Sequence, residues 1–248
     1  MNYMHEEIKK AVDTAQRAQR NYDLSKVIPE QDLETLIYAA TNSPSKQNET
    51  HYSLKIYTDQ SIIKQVYDNT KKFMLMGSGQ ERIFGVADSG KYWQDDTHSV
   101  KNSQILANVL FVYVREEGIA RGGTHLAGKA YRDSNAMISY EEQINFSIGI
   151  SVGELILSAT LLGYKTGLCS AIDEDPVRQL LGVNNRIKLL VGIGYPNVDI
   201  DRRLHSETLN KDVHEAVRNG DPDKHWKFPS FEKNIRVTLN EKIYDKRN

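Results

Sequence analysis

The chain has 248 residues, of which 39% are hydrophobic and 26% are charged, as in an ordinary globular protein. Lysine and arginine number 32 and aspartate and glutamate 33, so the net charge of −1 lacks the basic excess that non-specific nucleic-acid binding needs. The single cysteine, Cys169, excludes an internal disulfide and a zinc site built from several cysteines.

The compartment is predicted from the cysteine content and the N-terminus. One cysteine fits a reducing environment, and residues 1–14 lack the apolar centre of a signal peptide. The most apolar stretch, residues 146–162, contains Glu154 and is shorter than the roughly 20 residues that a membrane span needs. We therefore expect a cytoplasmic protein without a membrane or nucleic-acid partner.

The first half of the chain alternates helical and extended patterns. Residues 4–19 are rich in helix formers, and apolar residues at helical spacing over 33–40 end at Ser43-Pro44. Residues 52–58 alternate as a strand does, and 61–73 have helical periodicity. A polar loop at 43–48 therefore joins the second helix to the first strand.

The second half predicts buried strands around a long helix. Residues 106–114 and 187–193 are apolar, β-rich runs that suit strands covered on both faces. Over 144–162, apolar residues recur at intervals of three and four, as on one stripe of a helix. Shorter elements are predicted at 166–171 and 176–181. The alternation predicts an α/β (α+β) fold with a mixed central sheet flanked by helices on both faces, in one domain over residues 1–218.

Two segments fall outside this pattern. An insert at about residues 116–140 contains several glycines and no clear period, and it is either a substrate lid or a passive surface loop. Residues 219–248 end in an alternating stretch around Val237, typical of an arm that docks on the partner subunit and adds an edge strand, although a disordered tail also explains their lysine and asparagine content.

A literal G-x-S-x-G motif, Gly149-x-Ser151-x-Gly153, suggests a serine hydrolase, with Asp173 or Asp201 and His205 to complete a triad. That motif requires a strand, a strained turn and then a helix. Here the helical stripe runs through Ser151 without interruption, which disfavours the hydrolase. Metal-ligand spacings and a complete dinucleotide-binding glycine motif are missing as well.

Three basic or polar segments are candidates for binding an anion. Arg17 and Arg20 follow the first helix, the polar loop 43–48 follows the second, and Arg202-Arg203 follows the last buried strand. Guanidinium groups suit phosphate because their forked donors engage two oxygens at once. Taken singly, each arginine cluster is better explained as a solvated surface.

Taken together, four segments resemble the FMN-dependent nitroreductase family. The frame R-x-S-x-R-x-F is matched at residues 16–22, A-P-S-x-x-N-x-Q-P-W at 43–52, the L-G-L-G turn and following strand at 162–171, and G-Y-P with later basic residues at 194–203. The order and spacing of the four carry the resemblance. It implies an intertwined homodimer with the nitroreductase fold, FMN as cofactor, and NADH or NADPH as hydride donor.

The resemblance also implies roles for individual residues. Arg20 would face the N1 and O2 side of the flavin, and the Ser170-Ala171 backbone would approach N5. The loop 43–48 would reach the FMN bound mainly by the other protomer, and Asn102 would contact the pyrimidine. Tyr131 or Tyr140 would contact substrate. The implied cofactor-binding residues are Arg17, Ala18, Arg20, Pro44, Ser45, Lys46, Asn48, Asn102, Ser170, Ala171, Arg202 and Arg203.

The sequence departs from the family pattern at several of these positions. Gln16 and Ala18 stand where the family often has arginine and serine, His51-Tyr52 replaces Pro-Trp, and Lys165 occupies a position where a small residue is commoner. The implied activity is ping-pong hydride transfer to a nitroaromatic, a quinone, a flavin or a related acceptor, with no catalytic side chain. The departures leave a non-catalytic flavin-binding sensor or carrier as the alternative.

Overall fold

The computed structural model describes residues 2–45, 48–71, 73–74, 99–119, 140–200, 202, 237–239 and 242–244. Its helices are α1 (Asn2–Ala15), α2 (Glu30–Thr41), α3 (Gln60–Asp68), α4 (Tyr140–Leu161) and α5 (Glu174–Leu181), with a 3₁₀ turn at Ser103–Ile105. Its strands are β1 (Thr50–Tyr57), β2 (Phe73–Met74), β3 (Ser99–Val100), β4 (Val109–Ile119), β5 (Lys165–Cys169), β6 (Ile187–Gly194), β7 (Val237–Leu239) and β8 (Lys242–Tyr244).

The central sheet has four strands in the order β1-β4-β6-β5, and each neighbouring pair is antiparallel. The prediction of a mixed sheet is therefore wrong for the described strands. β6 lies between β4 and β5, so the two strands that α4 connects run in the same direction without pairing. An apolar run predicts burial on both faces, but it carries no information about the direction of the neighbouring strand.

Helices cover both faces of this sheet, as the sequence predicted. Phe111 and Tyr113 of β4 belong to the core cluster under α2 and α4, whereas Leu110 and Val112 belong to the cluster under α3 and α5. This division follows from the period of two in a strand, because successive side chains point to opposite faces. Both clusters are built from apolar runs recognised in the sequence.

The long helix α4 is the main structural element on one face. Five residues of the predicted stripe, Ile144, Ile148, Val152, Leu155 and Ala159, are buried against the sheet and α2, whereas the sixth, Leu162, is exposed just beyond the end of the helix. Among the described helices, Glu141–Leu161 is the one long and apolar enough to cross a membrane by length and composition. Because its stripe packs on the sheet, it is a core helix.

Element boundaries and strand pairing differ from the sequence-based expectation at several places. α3 ends at Asp68 rather than at residue 73, and Phe73 lies in the short strand β2. α1 ends at Ala15 rather than near residue 19, and β4 continues to Ile119, which takes the first residues of the predicted insert into the sheet. β7 pairs with β8 rather than with the central sheet. Residues 120–139 and most of 219–248 lie outside the described residues, so the lid and the docking arm stay predictions.

Candidate functional site

The segment that follows α1 lies directly on β5 and on the chain leaving β6. The Gln19 N–H donates to the Thr166 carbonyl at 2.8 Å, and the Asp23 N–H donates to the Tyr195 carbonyl at 2.9 Å. Gly167 is needed beneath this segment, because a Cβ there would lie 2.7 Å from the Gln19 carbonyl oxygen. Residues 19–23 are therefore held in place by segments distant in the sequence.

Asn108 fixes the same region from inside the fold. Its amide nitrogen donates to the carbonyls of Asp23 and Lys26 at 2.8 and 2.7 Å, and its amide oxygen accepts the Tyr195 N–H at 3.0 Å. A Cβ at Gly194 would lie 1.9 Å from that amide oxygen, so only glycine fits there. The sequence analysis missed Asn108, although a polar residue within an apolar run was a usable signal.

The chain segments that carry four cationic residues meet around residues 17–20. The Arg202 guanidinium donates to the Ala18 carbonyl at 3.0 Å, and the Arg20 N–H donates to the Arg202 carbonyl at 3.1 Å. Lys165 is the first residue of β5, and burial together with the nearby Arg17 lowers the pKa of its ammonium group. The structure thus brings Arg17, Ala18, Arg20 and Arg202 together, and adds Lys165 to them.

The electrostatics of this cation cluster, defined as Arg17, Arg20, Lys165 and Arg202, favour an anionic ligand. Arg20 is 5% exposed and lies near Tyr22, whose pKa is raised by burial against the opposing effect of Arg20. Arg17 and Lys165 are close enough to repel each other, and this repulsion is costly where solvent is partly excluded. An anion that bridges them removes this cost, and a phosphate group matches forked guanidinium donors.

A second group of predicted residues meets at the other end of β5. The Asn102 amide donates to the Leu168 carbonyl at 3.5 Å, and the Gln104 side chain accepts the Leu168 N–H at 2.9 Å. Asn102 caps the 3₁₀ turn rather than lying in a helix. Ser170 is exposed just beyond β5, and the Ala171 carbonyl accepts the Lys71 N–H at 2.9 Å. Asn102 and Ser170 therefore flank the end of one strand.

The polar loop before β1 is a tight turn. The Ser45 hydroxyl donates to the Glu49 carbonyl at 2.8 Å, and the Asn48 N–H donates to the Ser45 carbonyl at 3.2 Å. Asn48 has a φ of 57°, in the left-handed region that asparagine tolerates better than most residues. Pro44 lies within this turn, and Lys46 lies outside the described residues.

Buried polar side chains attach the end of this loop to α4. The Ser147 hydroxyl lies 2.9 Å from His51 Nδ1, and His51 Nε2 lies 3.1 Å from the Glu49 carboxylate. All three side chains are buried, His51 completely. The irregular register between Thr50 and Tyr52 brings His51 to the α4 side of the sheet, beside Tyr52. The sequence analysis missed this triad, because no local pattern marks such a bulge.

Ser151, the serine of the G-x-S-x-G motif, is a structural residue. It lies within α4, is fully buried, donates to the Ala40 carbonyl at 2.6 Å and lies 2.9 Å from the Tyr113 hydroxyl. Tyr52 also donates to the Ala40 carbonyl, at 2.6 Å. A buried serine that binds the end of α2 cannot meet a substrate, so the hydrolase hypothesis is wrong.

The loop and the cation cluster lie at diagonally opposite corners of the sheet. The loop leads into β1 at one edge, and the cations surround the start of β5 at the other, three strand spacings or about 14 Å away. Thr50 pairs with Ile119 at the end of β4, whereas Lys165 pairs with Gly194, which lies level with the start of β4. Along the strand direction, Thr50 and Lys165 are therefore roughly 30 Å apart. One chain does not bring both to the same small ligand.

Some predicted site residues remain untested. Arg203 and Tyr131, like Lys46, lie outside the described residues, and for Tyr140 only its place as the first residue of α4 is described. Within the described part of the chain, no group of three or more His, Cys, Asp or Glu side chains could hold a metal ion.

Comparisons with known proteins point to one family. The profile of the nitroreductase family matches residues 14–195. A search of the curated proteins found no match. Three solved structures have a similar fold. A nitroreductase family protein from Clostridium novyi NT is 15% identical, with a TM-score of 0.53, and the match covers 79% of this chain and 89% of that one. A Staphylococcus epidermidis protein assigned as an NAD(P)H:FMN oxidoreductase is 14% identical, with a TM-score of 0.53 and coverages of 80% and 91%, and nitroreductase A from Vibrio parahaemolyticus is 16% identical, with a TM-score of 0.52 and coverages of 88% and 83%.

Proposed function

Because the chain belongs to the nitroreductase family, we propose that it is a homodimeric oxidoreductase that binds FMN and oxidises NADH or NADPH. The observation that carries this proposal is that Arg202, far away in the sequence, meets the short segment beside β5 that carries Arg17 and Arg20. These residues fit the phosphate group of FMN, because charged hydrogen bonds from guanidinium groups to phosphate are short and strong.

The chain's own residues bind and orient the cofactor. When bound, FMN would supply the hydride-transfer chemistry between the nicotinamide and an acceptor, so no side chain would have to act as acid or base. Arg17 and Arg202 hold the phosphate, and the cation of Arg20 favours negative charge at the pyrimidine edge. From Lys165 to Ser170 the chain spans about 17 Å at ~3.3 Å per residue, which gives an extended FMN room to lie along β5.

The far end of β5 orients the reactive ring. The backbone of Ser170 and Ala171 would lie next to flavin N5, and Asn102 would contact the pyrimidine. The described geometry supports this assignment because Asn102 and Ser170 flank the same strand end. Tyr131 and Tyr140 are the proposed contacts for the acceptor, which is a nitroaromatic, a quinone, a flavin or a related compound.

The position of the loop before β1 supports a homodimer with a shared site. The loop residues Pro44, Ser45 and Asn48 lie at the corner of the sheet opposite to the cation cluster, so they reach a flavin only if it is bound by a second subunit. A homodimer in which each loop crosses to the partner's flavin satisfies this geometry, and residues 219–248 then dock on the partner subunit.

An exposed apolar face on α4 supplies the surface for such a dimer. Phe146, Ile150 and Leu161 are 58%, 44% and 65% exposed, and between them Gly149 and Gly153 leave open space, since a Cβ at either would meet nothing within 4 Å. Apolar residues grouped in this way mark interaction surfaces, and small residues let a second helix approach closely. α1 adds exposed Met4, Ile8 and Val12.

The direct test is the visible spectrum of the purified protein, followed by anaerobic titration with NADH and NADPH. Oxidised flavin absorbs near ~450 nm, and the proposal predicts a yellow protein whose colour is lost on adding the nicotinamide. A protein that neither contains nor binds FMN would refute the proposal. A yellow protein whose colour persists with both nicotinamides would be a flavin-binding sensor or carrier instead.

A further inference from the structure

We propose that Lys165 binds the phosphate of FMN together with Arg17, and so makes this chain select FMN over flavins without a phosphate. The inference rests on the proposed function and assigns a specificity-determining role to a residue that the sequence analysis counted only as a departure. Its basis is the position of Lys165 among its neighbours.

Lys165 lies between the two arginine-bearing segments. It opens β5 and pairs with Gly194, at the end of the strand that leads towards Arg202. The carbonyl of the next residue, Thr166, accepts the Gln19 N–H, so the segment that carries Arg17 and Ala18 crosses the start of β5. Arg202 reaches across to the Ala18 carbonyl from the other side.

The charge of Lys165 is not neutralised by the described part of the chain. Among the described residues, no carboxylate pairs with it, whereas Lys26, Lys64 and Lys188 each have one. Lys165 is also partly buried, and its pKa is lowered first by that burial and then by Arg17. The fold therefore holds a cation where its own surroundings disfavour positive charge.

A phosphate monoester explains this arrangement. It is largely a dianion at neutral pH, and it satisfies a guanidinium through paired oxygens and an ammonium as a point charge. FMN and riboflavin share the flavin ring and the ribityl chain, and they differ in the phosphate alone. A residue that binds only the phosphate therefore affects the affinity for FMN and leaves the affinity for riboflavin unchanged.

The test compares dissociation constants for FMN and riboflavin, measured by flavin fluorescence on the full chain after its flavin has been removed by dialysis. Lys165→Met should weaken FMN binding about ten-fold or more, the usual loss for a charged hydrogen bond, without affecting riboflavin. Lys165→Arg should keep most of the preference for FMN. Lys55→Met, an exposed lysine on the opposite edge strand, is the matched control and should change neither affinity.

Thermal melts of the same variants separate ligand binding from a structural role. Without flavin, Lys165→Met should melt at the wild-type temperature or above it, because it removes a charge that the fold disfavours, and the rise in Tm on adding FMN should shrink. A purely structural lysine would instead lower the Tm of the flavin-free protein.

Three outcomes would overturn the inference. An unchanged FMN-to-riboflavin ratio in Lys165→Met would remove Lys165 from the site and leave the proposed function intact. A wild-type protein that binds both flavins equally would show that no phosphate site exists. A wild-type protein that binds neither flavin would refute the proposed function as well.

Discussion

Replacing Ser151 with alanine tests whether the serine of the G-x-S-x-G motif stabilises the core. The Ser151 hydroxyl donates to the Ala40 carbonyl and lies 2.9 Å from the hydroxyl of Tyr113, and both side chains are fully buried. The Ala40 carbonyl keeps its bond from Tyr52 in the variant, so the loss falls mainly on Tyr113. Burial also raises the pKa of Tyr113, so its hydroxyl stays neutral and needs a partner.

The expected loss follows from that unpaired hydroxyl. Leaving a buried polar group without its hydrogen bond costs about 1–3 kcal/mol in the free energy of unfolding. For a chain of this size, each kcal/mol corresponds to about 2–4 °C in Tm. Ser151→Ala should therefore melt roughly 2 to 12 °C below the wild type.

The assay is urea and thermal unfolding followed by circular dichroism, with Ser158→Ala as the control. Ser158 is partly buried on the same helix, and among the described residues its side chain makes no hydrogen bond, so its replacement should change stability by only a few tenths of a kcal/mol. The double variant Ser151→Ala/Tyr113→Phe removes both hydroxyl groups. Its loss in the free energy of unfolding should be smaller than the sum of the losses in the two single variants. Equal stabilities of Ser151→Ala and Ser158→Ala would refute this reasoning, and an esterase activity abolished by Ser151→Ala would restore the hydrolase.

Three further outcomes follow from contacts described above. Gly167→Ala should lower Tm and weaken FMN binding in a fluorescence titration. The new Cβ would lie 2.6 Å from Gln104 and 2.7 Å from the Gln19 carbonyl and would displace residues 17–20. An unchanged FMN affinity would contradict the placement of these residues in the FMN site. Ile150→Asp should give a monomer in sedimentation analysis, whereas the same change at exposed Val198 should leave the dimer intact. The hydrogen bond from Lys188 holds the pKa of Glu141 below its usual value. The stability that this bond contributes is therefore present above about pH 4.5 and is lost as the pH falls through the lowered pKa. In urea unfolding, Lys188→Met should reduce the difference in stability between about pH 6 and about pH 3.5.

The parts of the fold that the sequence predicted are those with a strong local signal. The stripe from Ile144 to Ala159 determines the position and the buried face of α4, because helical periodicity over more than four turns has few alternatives. The apolar run of β4 likewise predicted a strand covered on both faces. Neither signal specifies which strands pair or in which direction, and the antiparallel sheet was therefore not predicted.

The parts that the sequence did not predict depend on single long-range contacts. Residues 16–19 continue a helix-forming composition, but the helix ends at Ala15, the chain turns at residues 16 and 17, and the Gln19 N–H bonds to the Thr166 carbonyl. His51 enters the core through the bulge beside Thr50, and Glu49 and Ser147 become its neighbours only in the folded chain. For the candidate site, the sequence named the arginines as candidate anion-binding residues and the resemblance to a family assigned their roles. It counted Lys165 only as a departure from the family pattern, and Asn108 emerged from the tertiary structure alone.

The diagonal separation of the loop and the cation cluster has a genetic consequence for the proposed dimer. Each pocket takes its cations from one subunit and its loop from the other, so a chain damaged at Lys165 and a chain damaged at Asn48 are defective in different halves of a pocket. Co-expression of the two should form mixed dimers with one pocket intact and one carrying both defects. Intersubunit complementation should then give each mixed dimer one pocket that binds flavin as the wild type does, whereas both pockets of each variant alone bind flavin more weakly.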